Sequence, residues 1–347
     1  MSRRRSVFGA VAGLTLILFL VGLALAGDKK SFREGREEFR KKIETKQEKP
    51  IEGTKEALAV YFPEDAGKFN FIVTPGETGK LRGLIQDYFL IKDDQALSQA
   101  VLHLGKGAIV IGKRYSQAKD GVVLKAIFLM PPYPYWERLT NVDGIEDTFA
   151  VYNTSVDFFN EGDVHFCHLQ IEGTFFRVTS AIDLPVIFTP FPQTREFTFH
   201  MPTQAELDRV IKQLKPVNPG RPQPQEIFAD LARKHPLFSE QDKKGRFRVS
   251  DKDILKIYRN VFDLNECQVK VTEGTWKIYE DFSGFYVVEY LLHSVVNVDA
   301  FVPHIPLVRG AVEKVAQSIS DEVSVKYFPL SMKNLRDGVV ADHDKKK

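Results

Sequence analysis

The feature that most constrains the fold is a change of hydrophobic period near the C-terminus. Residues 273–294 hold two aromatic, β-rich runs around the loop Asp281-Phe-Ser-Gly284, whose glycine we expect to supply the positive φ of a short hairpin. From residue 305 the apolar period changes from 2 to 3.6, which predicts that the hairpin leads into one long helix. Such a helix must bury its apolar stripe, and the preceding strands are the nearest surface. The stripe comprises Val308, Ala311, Val312, Val315, Ala316 and Ile319.

The composition is that of a folded protein with an unusual share of phenylalanine. A chain of 347 residues with 43% hydrophobic residues holds one large or two ordinary domains. Its 27 phenylalanines either fill a thick core or line an apolar cavity, because their side chains are bulky. The net charge is close to zero, which argues against nucleic acid as a partner.

Residues 1–26 have the pattern of a cleavable secretory signal, which predicts a periplasmic or secreted protein. Three arginines at positions 3–5 precede an apolar run from Val7 to Ala26, and the small residues Ala24 and Ala26 stand before Gly27. The apolar run is also long enough for an uncleaved anchor, so attachment to the inner membrane through residues 7–26 is the alternative. Residues 27–52 are dense in both charges and form a linker, for which contact with an anionic membrane surface is a hypothesis.

Residues 53–105 are expected to form an N-terminal α/β segment. A strand at Lys68–Val73 is predicted to precede helices near Thr78–Leu90 and Asp94–Leu104. The runs Ala108–Gly112 and Val122–Met130 then predict a hairpin.

After Pro131-Pro132 the chain is expected to form two short helices and then an antiparallel meander. The helices are predicted at Tyr133–Leu139 and Val142–Phe149. Short strands separated by turn residues are typical of a meander. The strand-like runs are Phe149–Phe159, Asp163–Ile171, Thr174–Leu184 and Thr194–Met201.

Residues 202–266 interrupt this pattern as a helical insertion. The capping box Thr203-Gln-Ala-Glu206 opens a helix that runs to about Leu214. Further helices are predicted near Gln225–Lys234 and Asp251–Phe262, and strand character resumes at Cys267. Residues 331–347 are expected to be a polar tail that does not fold alone.

Three local motifs resemble those of the START-like superfamily of polyketide cyclases, coenzyme-Q-binding proteins and lipid-transfer domains. The first is Pro131-Pro132-Tyr-Pro-Tyr-Trp136-Glu-Arg-Leu139-Thr140-Asn141-Val-Asp143. The second is the pair Ser155-Val156, and the third is Gly274-Thr-Trp276. The resemblance covers about 106–201 and 267–330. Asn141 departs from the Asp usual in the family, and neither the insertion nor residues 53–105 map onto it.

The resemblance implies an α+β helix-grip fold over residues 106–330, in which a curved antiparallel sheet surrounds a long C-terminal helix. Its strand order is 1-7-6-5-4-3-2, with the helical insertion between the fifth and sixth strands. This order puts Cys167 and Cys267 two strands apart, so we expect two buried thiols and no disulfide.

The resemblance also implies an apolar cavity between the sheet and the helix that holds a lipid, sterol or quinone-like ligand, with no cofactor or metal. Arg195 is expected at the cavity mouth, where it meets either a ligand headgroup or, in the simpler interpretation, a surface salt-bridge partner. The side chains expected to line the cavity are Trp136, Phe176, Val178, Phe197, Phe199, Trp276, Tyr286, Val288, Tyr290, Val308, Val312 and Val315.

Candidates for chemistry are sparse. His165 and His168 point to opposite faces of a strand and cannot share a metal ion, and Cys167 beside His165 has no third group to orient it. A cyclase-like enzyme is the alternative function, with Glu289 or His200 as acid or base if its side chain faces the cavity. We expect instead that Tyr286, Val288, Tyr290 and Leu292 face inward. The insertion 202–266 is alternatively a protein-docking surface or a lid over the cavity.

Overall fold

A computed structural model describes a little more than half of the chain. The predicted signal, nearly all of the charged linker, most of the insertion and the predicted Val308–Ile319 helix lie outside the described residues. The described residues are 49–50, 57–62, 68–115, 122–142, 145–148, 152–175, 178–213, 264, 267, 269–297 and 328–347.

The described strands form one antiparallel sheet. Its order is β1-β2-β3-β4-β10-β9-β8-β7-β6-β5. The strands are β1 (Lys49–Pro50), β2 (Ala57–Tyr61), β3 (Ile109–Tyr115), β4 (Val122–Met130), β5 (Tyr152–Glu161), β6 (Val164–Phe175), β7 (Val178–Phe191), β8 (Glu196–His200), β9 (Val269–Tyr279) and β10 (Tyr286–Val296).

The order of the last seven strands is the predicted helix-grip order. If β4 is the first strand of the family pattern, the run from β4 through β10 and back to β5 is 1-7-6-5-4-3-2. The predicted hairpins β3–β4 and β9–β10 are both paired in antiparallel register. The protein therefore has an α+β, helix-grip fold, extended at one edge by β1, β2 and β3.

Six helices are described, and the local sequence accounts for how two of them begin. They are α1 (Pro75–Phe89), α2 (Asp94–Gly105), α3 (Trp136–Thr140), α4 (Ile145–Thr148), α5 (Gln204–Gln213) and α6 (Phe328–Lys345). A reciprocal capping box between Thr74 and Glu77 starts α1, with Pro75 in the first turn. Capping by the Asp93 side chain starts α2. Both helices were predicted from the sequence, and so was α5.

The sheet has two buried faces where β2, β3, β4 and β10 lie. We call the face that carries Phe128 and Tyr290 the inner face, and the face that carries Ile127 and Val287 the outer face. From Ala126 to Met130 the residues of β4 alternate between the inner and the outer face and are all buried, which explains why this part of the strand is a continuous apolar run. Helices α1 and α2 cover the outer face and form a second core with it.

The N-terminal segment differs from its prediction in its strands, because β2 lies at Ala57–Tyr61, where no strand was predicted, and none lies at Lys68–Val73. Phe69 and Phe71 stack on each other at 6.0 Å, and the Phe71 N–H donates to the Gly105 carbonyl (2.8 Å). The alternation of Phe and Asn therefore reflects packing against the end of α2 and not a sheet ladder.

Residues 331–347, predicted to be a polar tail that does not fold alone, belong almost entirely to α6 and pack on the rest of the protein. The prediction rested on the density of charge in this segment. Four apolar residues at helical spacing are nevertheless buried: Phe328, Met332, Leu335 and Val339. Helix α6 packs chiefly on β3, β4, α3 and α4. A buried arginine, Arg336, adds a polar anchor described below.

Two further details concern the β9–β10 loop, which differs from its prediction, and the bulges of β5. Gly284 does not have positive φ; among the described glycines only Gly107 and Gly162 do. The loop between β9 and β10 spans Glu280–Phe285, so it is long enough to reverse the chain without a left-handed residue. At the edge of the sheet, β5 carries two register shifts, and such bulges discourage edge-to-edge pairing.

The two cysteines are separate thiols, as predicted. Cys167 lies on β6 and Cys267 just before β9, and strands β7 and β8 lie between them. Both side chains are buried and neither is part of a disulfide.

Candidate functional site

The inner face is centred on a stack of aromatic rings. Tyr290 lies between Trp276 at 3.9 Å and Phe328 at 4.8 Å, with nearly parallel planes on both sides. Phe199 packs obliquely on Tyr290 at 6.2 Å, and Phe188 lies parallel to Phe197 at 5.3 Å. Register explains the stack, since Trp276 is directly paired with both Tyr290 and Phe197 on the neighbouring strands. The rings join β7, β8, β9, β10 and α6 into one apolar layer.

The structure brings together most of the described residues that were predicted to line a cavity. Phe197, Phe199, Trp276, Val288 and Tyr290 are buried in the inner-face core, and Trp136 and Tyr286 lie at its margin. Val178 begins β7, while Phe176, Val308, Val312 and Val315 lie outside the described residues. Their role as a cavity lining stays a prediction.

The preferred orientation of β10 is the observed one. Tyr286, Val288, Tyr290 and Leu292 belong to the inner face, and Glu289 faces outward beneath α1. The Tyr279 hydroxyl donates to Glu289 Oε2 (2.9 Å), and burial raises the pKa of the Glu289 carboxyl. Lys125 donates to the Tyr88 carbonyl oxygen (2.7 Å) in the same layer. This polar group lies away from the inner face, so Glu289 cannot act on a ligand held there.

His200 also lies on the outer face. Phe197 and Phe199 of β8 are inner-face residues, so alternation turns His200 outward, and its Nε2 lies 3.3 Å from Glu206 Oε1 on α5. The paired strands put Glu273 beside His200, and His293 Nδ1 lies 2.9 Å from Glu273 Oε1. Both proposed acid–base residues of the cyclase alternative therefore point away from the apolar face.

The histidines of β6 do not converge. Cys167 is in the inner-face core, which places His165 on the same side and the fully buried His168 on the opposite side. Within the part of the chain that the structure describes, no three His, Cys, Asp or Glu side chains are placed to hold a metal ion.

One polar group lies on the inner side, at the end of the sheet, and the sequence analysis missed it. The Tyr135 hydroxyl donates to Glu280 Oε1 (2.6 Å), and Arg195 Nε lies 3.1 Å from the same oxygen. Tyr135 is 4% exposed and packs edge-on against Tyr286 at 5.7 Å. Burial, followed by the hydrogen bond to Glu280, raises the pKa of the Tyr135 phenol. We call these three residues the rim triad.

One of the two contacts of the rim triad was within reach of sequence reasoning. The strand order places β8 beside β9, and Arg195 precedes β8 where Glu280 follows β9, so the two residues share one end of the sheet. Arg195 thus has the surface salt bridge that was the simpler of its two predicted roles. Tyr135 enters from the Pro131-Pro132 motif, whose position relative to the sheet no local pattern specifies.

Helix α6 is fastened to the rest of the domain at two places. Arg138 of α3 forms a two-pronged ion pair with Asp342 (2.7 and 3.1 Å), and Tyr133 stacks on His343 at 3.7 Å. Nearer the start of the helix, Arg336 is fully buried, and its Nη1 donates to the Gly107 carbonyl at 2.5 Å. Its guanidinium also lies 4.2 Å from the Phe69 ring, so the N-terminal segment provides the socket for α6.

The comparisons with known proteins return only distant structural similarity. No protein-family model matches this sequence, and no curated protein matches it. Human STARD10 has a TM-score of 0.37 and 9% identity, covering 74% of this chain and 83% of that chain. A STAR-related lipid transfer protein from Xanthomonas axonopodis has a TM-score of 0.35 and 10% identity, covering 67% of this chain and 93% of that chain.

An aromatase/cyclase, Zhui, from Streptomyces sp. R1128 has a TM-score of 0.35 and 8% identity, covering 62% of this chain and 92% of that chain. At these values the similarity carries no evidence about ligand or activity. The strand order of the chain itself shows its fold: a helix-grip fold with an added N-terminal α/β layer. None of the helices in the described ranges combines the length and the apolar character needed to cross a membrane.

Proposed function

We propose that this protein binds a hydrophobic small molecule or lipid on the inner face of the sheet and carries it outside the cytoplasm. The observation that supports the proposal best is the extent of that face. Apolar side chains continue across β6, β7 and β8, including Leu169, Val186 and Phe197, whereas α6 packs chiefly at the β3 and β4 side. The apolar surface therefore extends beyond the part against which α6, among the described helices, packs.

Uptake must involve movement of the chain. The described inner-face core residues of β6 to β9 have exposures of 0–5%, so a ligand has to replace protein contacts that bury them. An apolar ligand can do so at little cost, because it exchanges one apolar contact for another. The proposed export rests on the pattern of residues 1–26.

The proposal is tested by expressing residues 27–347 and examining the protein for bound lipid. We expect native mass spectrometry to detect a co-purified apolar molecule that organic extraction removes, and the extracted protein to take up a fluorescent lipid. Protein that is reproducibly empty and takes up no fluorescent lipid would rule the proposal out. Export is tested separately by fractionating cells that express residues 1–347, where recovery only from the cytoplasm would contradict it.

Two adjacent residues provide a matched pair of variants for the binding surface. Phe188 and Ile187 on β7 are both buried, but only Phe188 belongs to the inner-face core. We expect Phe188→Ala to change the affinity for the lipid probe, and Ile187→Ala to leave it unchanged although both variants lose stability. Equal effects of the two substitutions would place the ligand elsewhere.

The enzyme alternative lacks support from its two named residues, since Glu289 and His200 are on the outer face. The docking alternative remains a prediction, because most of residues 202–266 lie outside the described residues. In that region α5 is described, and Arg209 Nη2 lies 3.6 Å from Glu161 Oε2 at the β5–β6 turn.

A further inference from the structure

The rim triad forms a polar connection from the apolar core to solvent. Tyr135 is 4% exposed, whereas the side chains of Glu280 and Arg195 are 33% and 45% exposed. All three lie at the end of the sheet where Tyr135 packs on the rings of Tyr286 and Trp136, at the margin of the inner-face core. A ligand whose apolar part lies along the inner face would bring its other end to this group.

Backbone contacts hold the triad in place. Arg195 has a left-handed φ of 56°, which is uncommon for a residue other than glycine. Its carbonyl accepts from the Ile278 N–H (3.0 Å), and its Nη1 donates to the Pro192 carbonyl (3.2 Å). The guanidinium and the Glu280 carboxylate are therefore aligned by the β7–β8 turn and by β9, not by side-chain flexibility alone.

The charges of the triad cancel. Arg195 carries one positive charge, Glu280 carries one negative charge, and Tyr135 is a neutral donor. An anionic group placed here would be attracted by the Arg195 guanidinium but repelled by the Glu280 carboxylate. A cationic group would be attracted by Glu280 but repelled by Arg195. A neutral group that both donates and accepts hydrogen bonds meets neither penalty.

We propose that the rim triad selects amphiphiles with an uncharged hydrogen-bonding end, such as a long-chain alcohol, over amphiphiles with a carboxylate or an ammonium of the same chain length. This inference rests on the proposed function, because it names the class of ligand that the same apolar face would take. It assigns Glu280 the role of excluding anions, and Arg195 that of excluding cations.

The test compares three probes with one hydrocarbon chain, namely oleyl alcohol, oleic acid and oleylamine, as competitors of a bound fluorescent lipid. Wild type is expected to bind the alcohol about tenfold more tightly than the acid or the amine. Glu280→Gln leaves Arg195 without its counter-charge and is expected to improve binding of the acid relative to the alcohol by about tenfold. Arg195→Gln is expected to do the same for the amine.

An outer-face ion pair on the same strands is the matched control. Lys277 Nζ lies 3.0 Å from Glu196 Oε1, with side-chain exposures of 41% and 28% that are close to those of the rim pair. Glu196→Gln removes a comparable charge and is expected to leave the order of the three probes unchanged. Circular dichroism and thermal unfolding check that each variant is folded, and Arg195→Gln keeps the test decisive if Glu280→Gln does not fold.

The outcomes separate this inference from the proposed function. If wild type takes up neither the fluorescent lipid nor any probe, the proposed function fails; if it holds the fluorescent lipid but none of the probes displaces it, only this inference is overturned. If wild type binds them but Glu280→Gln and Arg195→Gln leave their order unchanged, or if Glu196→Gln shifts the order equally, the rim triad does not select the ligand and only this inference is overturned.

Discussion

Gly274 is expected to be the most sensitive glycine of the sheet. A methyl group added there would overlap the Leu291 carbonyl oxygen and the Phe199 ring. The ring is itself confined by Tyr290 and Phe188. Relief therefore requires β9 and β10 to move apart, and not just one side chain to rotate.

The expected cost of Gly274→Ala follows from these contacts. Overpacking of a filled core costs about 1–3 kcal/mol, and a weakened ladder hydrogen bond costs about 1 kcal/mol. Alanine recovers about 0.5–1 kcal/mol by restricting the unfolded chain. The free energy of unfolding should fall by about 1–3.5 kcal/mol.

Gly83 is the control for this substitution. It lies inside α1, where an added methyl group meets no atom within 4 Å, so Gly83→Ala should raise the free energy of unfolding by about 0.5–1 kcal/mol. Urea unfolding, followed by tryptophan fluorescence at constant m-value, measures both changes. A loss below about 1 kcal/mol at Gly274 would refute the reasoning, because it would mean that the two strands separate easily.

Three further predictions concern buried or paired charge. Arg336→Ala should lower the free energy of unfolding by about 3 kcal/mol, because it removes the donor to the Gly107 carbonyl and leaves a cavity over the Phe69 ring. In the same urea experiment, Lys333→Ala should lower the free energy of unfolding by less than about 1 kcal/mol. Glu289 has a raised pKa, so its ionisation opposes folding as pH rises above the ordinary carboxyl range; Glu289→Gln should therefore gain stability relative to wild type between pH 4 and pH 7, and a constant difference over this range would contradict the burial. Hydrogen bonds from the Ser283 N–H and the Thr74 hydroxyl lower the pKa of the Glu77 carboxyl to about 2. The ionised Glu77 should therefore stabilise the fold fully above about pH 5 and lose this effect as the pH falls to about 2. A comparison of the free energy of unfolding of wild type and Glu77→Gln over this pH range measures the effect.

Periodicity and turn chemistry predicted the local elements well where one physical cause dominated. The capping box predicted at Thr203 starts a helix, and the alternation on β10 assigned its inward side correctly. The order of the seven family strands followed from the resemblance, and the pairing of Trp276 with Tyr290 depends on that order.

The misses share a cause, which is that contact between distant segments decided the outcome. The segment from Asn334 to Lys347 contains many charges, yet nearly all of it belongs to helix α6. Its few apolar side chains are buried because α3 and the N-terminal segment provide a surface on which they pack. Residues 68–73 alternate like a strand, yet the end of α2 accepts the Phe71 N–H instead. The rim triad joins residues 135, 195 and 280, and no local window contains more than one of them.

The Arg336 anchor has a consequence for the order of events in folding. Its partner carbonyl lies 229 residues earlier in the sequence, so the socket made by the first strands and helices stays vacant during synthesis until the last helix is made. Such distant closure is slow, and until then the exposed rings of the sheet are available to chaperones.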